Sequence, residues 1–396
     1  MSGPALLLLG LAVTGRPSTS SALLASVTIA GAAGGPVFGT LLDHSRRPDR
    51  VLAGTLAAYA LGIVAVQAAV GQLPIPAVMA IALTAGLFNP SVAGGWTAQL
   101  PRIVTGHELA RGSALDALTY NAADLAGPAL AAVIAAGLGA RIAVLTAAAL
   151  VALAVPSACS LSRYPPAPGH VPAPRRPMAA RQVTAGFAAI VTRRPLLRAT
   201  VTSVVSYAGI GMLLVCCPVL GAQRLGGPAR GALLISAMAV ASLIANAILA
   251  RRPGRGQRDV RVFASTLAIG VSMAAAAVAP GWLTLAAVAL TGAGEGPQLT
   301  ALFAVRHRET PASMRGQIYT TAASLKIAGM AAGAAVAGPL AGRSVTACLL
   351  AAAGTELCAA AAHLLAGPRR RQAPAPTPPG KACAGPAART TARLEQ

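Results

Sequence analysis

The chain has 396 residues, 55% hydrophobic, 11% charged and 3% aromatic, with a formal net charge of +22. A soluble domain carries about 25% charged residues, so this composition excludes a water-soluble globular protein and describes a polytopic membrane protein. The charge would suggest nucleic acid in a soluble chain, but the basic residues are confined to loops and lack interleaved aromatics, which leaves membrane topology and contact with anionic lipid headgroups.

The first apolar run, Met1 to Gly15, is short: twelve residues from Pro4 to Gly15 make about 18 Å of helix against a hydrocarbon core of about 30 Å. No basic stretch precedes it and no small-residue cleavage site follows, so it is not a secretion signal, and a first spanning helix truncated at its start is expected. Eleven further apolar runs follow, at residues 20–42, 51–70, 75–97, 113–137, 140–159, 196–220, 229–250, 261–279, 282–304, 316–339 and 345–366. Gly39–Arg50, GTLLDHSRRPDR, joins the second and third runs. It resembles the loop between the second and third helices of major facilitator transporters, roughly G-x-L-x-D-R-x-G-R-R/K. Gly39, Leu41, Asp43 and Arg47 match that form; His44, Arg46 and Pro48 do not. Membrane sidedness alone explains the arginines but not the spacing of Gly39, Leu41 and Asp43. The resemblance implies a gating loop of Gly39, Asp43, Arg46, Arg47 and Arg50. It also implies that Asp43 meets the start of the eleventh helix, near residues 313–317, when that side is closed, because free amides and the helix dipole stabilise a carboxylate there.

The sixth and seventh runs are separated by a Pro-rich stretch, YPPAPGHVPAPRRP, and then by a surface helix over Met178–Val191. The expected division is an N-terminal six-helix half at 1–159, a cytoplasmic linker at 160–194, a C-terminal half at 195–367 and a disordered tail at 368–396. Of the 32 Lys and Arg residues, 26 lie in the even-to-odd loops, the linker and the tail, which places both termini in the cytoplasm. A repeat relates the two halves. Thr84 and Pro90 in the fourth run correspond to Thr291 and Pro297 in the tenth, and Gly127-Pro128 in the fifth to Gly338-Pro339 in the eleventh. A transporter of two pseudo-symmetric halves would place its equivalents in this register.

Around Gly127 and Pro128 the fifth run resembles the family's exporter-associated signature, G-x-x-x-G-P-x-x-G-G, although Ala123, Ala131 and Ala132 replace glycines. Small residues at this spacing let helices approach, so Gly127, Pro128, Gly338 and Pro339 are read as a helix-packing motif. Charge inside a span is costly, which makes Asp124, Glu295, Lys326 and Glu356 the candidates for transport and proton coupling. Asp116, Tyr120 and Asp124 recur every four residues and, with Asn121, form a cavity stripe. Glu295 lies two residues before Pro297, at an expected kink. Static pairing of Lys326 with Glu295 or Glu356 stays open as an alternative.

The histidines His44, His107, His170 and His307 are read as exposed in loops, His363 at the inner end of the last helix, and no metal-type cluster occurs. Without a phosphate-binding lysine motif or clustered catalytic side chains, neither an enzyme nor a cofactor is expected. The reading is an all-α integral membrane protein of twelve transmembrane helices, a monomer of the cell membrane exporting small organic molecules in exchange for protons. An importer or facilitator of a small nutrient and a non-transporting membrane scaffold are the alternatives.

Overall fold

In hydrocarbon a chain must satisfy its own backbone, and long runs of Ala, Leu, Val and Gly do so as helices. The computed structural model describes residues 1–104, 108–164, 180–227, 230–251 and 258–365. The Pro-rich part of the linker, His107, His170 and the tail from 368 lie outside the described residues. The rest is all-helical. The elements are α1 (Ser2–Thr14), α2 (Pro17–His44), α3 (Pro48–Ala69), α4 (Ile75–Gly86), α5 (Trp96–Ile103), α6 (Leu109–Leu138) and α7 (Ala140–Ser160). They continue with α8 (Ala180–Thr192), α9 (Arg194–Arg224), α10 (Gly231–Arg251), α11 (Arg258–Val278), α12 (Leu283–Glu309), α13 (Arg315–Arg343) and α14 (Val345–Leu365).

Among the described residues ten segments are long and apolar enough to cross a membrane, with α4 and α5 counted together across Ile75–Ile103. α12 is long enough at 27 residues but more polar, and α1 is too short at 13. Prolines open α2, α3 and α9, where a helix needs no amide donor. Gly139, at φ 98°, is the single residue between α6 and α7. The Thr-to-Pro repeat behaves unequally in its two copies. After α4, Pro90 leads into a wide π-helical turn at Ser91–Gly95, whereas α12 runs on through Pro297. The expected kink beside Glu295 therefore involves no break in the helix.

One apolar core gathers Leu6, Leu23, Tyr59, Ile63 and Val144 from α1–α7, and another gathers Leu213, Leu234, Met273, Val288 and Leu349 from α9–α14. α2 and α13 join across them. Gly31, Gly35 and Gly39 recur every four residues on α2 and end in Asp43; opposite stand Gly316, Thr320 and Ser324 of α13 at the same period. Ser324 Oγ donates to the Gly31 carbonyl at 2.7 Å and Thr320 Oγ1 to the Gly35 carbonyl at 2.5 Å. A Cβ at Gly35 or Gly39 would strike Thr320 or Gln317, so glycine is what permits this approach. α8 lies at the same end, with Gly186 against Gln317 and Ile190 buried beside Leu196 and Ile318.

Candidate functional site

The α2 stripe ends in a carboxylate aimed at a helix start. Asp43 Oδ1 accepts from the Gly316 amide at 2.6 Å and Oδ2 from the Gln317 amide at 2.8 Å, two donors that α13 leaves unused in its first turn. Asp43 is buried, and the Gln317 side chain adds a bond to Thr40. The loop end is thus closed by a bidentate, charge-assisted contact within the segment expected from sequence. Arg46, Arg47 and Arg50 remain exposed at its rim.

Deeper in the bundle, the Lys326 ammonium of α13 stands 3.7 Å from the ring centre of Tyr207 on α9 and 4.3 Å from that of Tyr120 on α6. Desolvated contacts of this kind are worth about 2 kcal/mol each. Asp124 and Glu295 are its electrostatic neighbours, and the Tyr207 hydroxyl donates to Glu295 Oε1 at 3.0 Å. Neither carboxylate forms an ion pair with it. Ion pairs are instead found elsewhere, at Arg198–Asp259, 2.9 Å, and Arg308–Glu309, 2.6 Å. The static pairing considered from sequence is therefore replaced by aromatic rings. Lys326 and Glu295 are buried, while Asp124 is exposed.

Glu356 makes no contact with Lys326 but has Glu295 as an electrostatic neighbour. It is fully buried inside the α9–α14 bundle, accepts from Ser206 Oγ at 2.9 Å and leaves Oε2 without a partner. Ser206 connects onward to Gln298, which donates to Thr266 at 2.7 Å. On α6, Asn121 donates to Ser242 of α10 at 2.6 Å, a direct bond between the two bundles. Asp116 is half-buried, with Thr97 bonded to it and Oδ2 unpartnered.

The helix-packing motif divides. A Cβ at Gly127 would lie 2.7 Å from the Met1 nitrogen, so that glycine does admit a neighbour. Gly338 and Pro339 are exposed, and a Cβ at Gly338 would meet nothing within 4 Å. Close approach on α13 falls instead at Gly329 and Gly333, which abut the backbone of Val204 and Ala208 on α9. The loop reading of His307 is also corrected: it lies within α12 and is buried against Tyr319, with ring centroids 4.9 Å apart. His363 does lie in the last turn of α14, but it is buried between Arg198 and Asp259.

Two features escaped the sequence reading although their signals were present. One is the four-residue glycine period of α2. The other is Arg306, taken for a loop charge but buried within α12. It lies eleven residues from Glu295, about three helical turns, and so on the same face.

A sequence model of the Major Facilitator Superfamily matches residues 1–334. An uncharacterized MFS-type transporter, y4rN, of Sinorhizobium fredii (strain NBRC 101917 / NGR234) is 30% identical over 370 residues, covering 91% of this chain and 89% of that protein. The human organic anion transporter MFSD10 (TETRAN) has a similar solved structure, with a TM-score of 0.69 at 18% identity over 90% of this chain and 87% of its own. A bacterial homologue of the iron transporter ferroportin, in an outward-facing state, also gives 0.69, at 14% identity over 92% of this chain and 97% of its own.

Proposed function

The chain belongs to the major facilitator superfamily of transporters, and on that premise we propose that it exports small organic molecules across the cell membrane in exchange for protons, by alternating access. The observation that carries this is Lys326, held over one tyrosine from each bundle with Asp124 and Glu295 as charged neighbours but no ion pair. A cation that is caged and not neutralised by contact can exchange partners as the bundles rock, and a neighbouring carboxylate can take up or release a proton when it does. In this scheme Glu295 carries the proton. Asp124, exposed and on the Tyr120 stripe, belongs to the substrate or gating wall. The closed loop end faces the cytoplasm, a sidedness supported by the distribution of Lys and Arg. Export over import is supported by Gly127 and Pro128 in the exporter-like signature.

The test uses proteoliposomes loaded with a pH-reporting dye and challenged with a panel of small organic molecules, with protein-free liposomes as the control. Glu295→Gln should abolish substrate-linked proton movement while leaving substrate exchange in place, because the amide keeps the shape and cannot titrate. Proton movement equal to wild type in Glu295→Gln would remove Glu295 from the coupling step. Flux directed only inward with the proton gradient would replace the exporter by an importer.

A further inference from the structure

Among the described residues Arg306 has no counter-charge. It is 3% exposed near the end of α12, and its Nε and Nη2 have no hydrogen-bond partner. The groups that act on it electrostatically are the phenols of Tyr319 and Tyr207, with no carboxylate among them, and it in turn acts on Lys326. Beside it, His307 is 5% exposed with both ring nitrogens unpartnered. A guanidinium taken out of water without an anion is strongly disfavoured, and it is stabilised when one arrives. The two free nitrogens form the edge of the guanidinium whose N–H bonds run parallel, the edge that holds both oxygens of a carboxylate at once. Arg306 shares the helix face of Glu295, and Tyr319 shares that of Lys326 seven residues on, so the free edge belongs to the same interior as the lysine cage.

We infer that Arg306 anchors a binding site for a carboxylate group on the transported molecule, with His307 and Tyr319 beside it. The inference rests on the reading that the chain moves small organic molecules and narrows them to organic anions. Asp116 is the internal rival for Arg306: its Oδ2 is unpartnered, and it too has Tyr319 as an electrostatic neighbour. If Asp116 were the true partner, the pair would be a latch between α6 and α12 and not a ligand site.

The deciding experiment is calorimetric titration of the full chain in phosphatidylcholine nanodiscs, which exclude anionic lipid as the source of the anion. The probes are benzoate and 2-naphthoate, each against its own amide. At least one carboxylate should bind more tightly than its amide by about 10- to 100-fold, the range expected of a charge-assisted pair. Arg306→Gln should erase that preference, Arg306→Lys should keep part of it, and Asp116→Asn should leave it in place. Three results would overturn the site: no carboxylate preferred over its amide in the wild type, an undiminished preference in folded Arg306→Gln, or equal losses in Asp116→Asn and Arg306→Gln. If Arg306→Gln does not fold, Arg306→Lys decides, and an undiminished preference there is fatal. Carboxylate binding without proton-linked flux would leave the site standing and remove the coupled-transport reading. Proton-linked flux without carboxylate preference would do the reverse.

Discussion

Replacing Asp43 with asparagine should open the loop end of the transporter. In the closed state the two carboxylate oxygens accept from successive amides at 2.6 and 2.8 Å at the start of α13. An asparagine offers one acceptor oxygen, so one amide loses its partner and the other bond becomes neutral. A charge-assisted bond contributes about 1.5–3 kcal/mol against about 1 for a neutral one. The charge at the helix start adds about 0.3–1 kcal/mol. Part of this is regained in the open state, where water solvates the freed groups, so the closed state should lose about 2–3 kcal/mol. At about 1.4 kcal/mol per tenfold, the closed-to-open ratio falls by about 30- to 150-fold. Nitroxide labels at Arg46→Cys, just after α2, and Arg308→Cys, at the end of α12, both exposed, read the change as a pulsed-EPR distance distribution. Cys159, Cys358 and Cys383 are replaced in this background; Cys216, Cys217 and Cys348 are buried and stay. A longer-distance population should appear with Asp43→Asn. An unchanged distribution would show that the bidentate contact does not hold this end closed.

The same labels test the glycine stripe: Gly35→Val should also populate the open distance, because its Cβ meets the Thr320 backbone and the Ser324 hydroxyl. Closure equal to wild type in that variant would mean that the helices separate at little cost. On the far half of α13, Gly333→Ala drives a Cβ into the Ala208 backbone and should lower thermal stability in detergent by about 1–3 kcal/mol. Gly338→Ala meets open space and should be neutral or stabilising by up to about 1 kcal/mol; comparable destabilisation by the two would show that Gly338 does pack.

What could be read from sequence follows from which interactions are local. Lipid forces each apolar run to become a helix, so all twelve runs appear as helical segments without knowledge of their neighbours. The Asp43 contact was reachable because the loop pattern carries its partner with it. The cage of Lys326 was not: Tyr120 and Tyr207 lie about 206 and 119 residues away, and charge balance alone pointed to carboxylates. The packing glycines of α13 were misplaced for a similar reason, since a repeat shows that two helices are equivalent but not which of their glycines face a neighbour. Arg306 was lost at a boundary. Hydropathy ends the tenth run near residue 304, yet α12 continues to Glu309 with Val305, Arg306 and His307 all buried. A falling hydropathy index marks either a helix leaving the bilayer or a helix turning polar inside protein, and it cannot separate the two. Facing can, because Glu295, Leu299, Phe303 and Arg306 advance by four, four and three residues and so remain on one side of the helix. A cation that continues the buried face of a helix belongs to the interior even where the composition around it reads as loop.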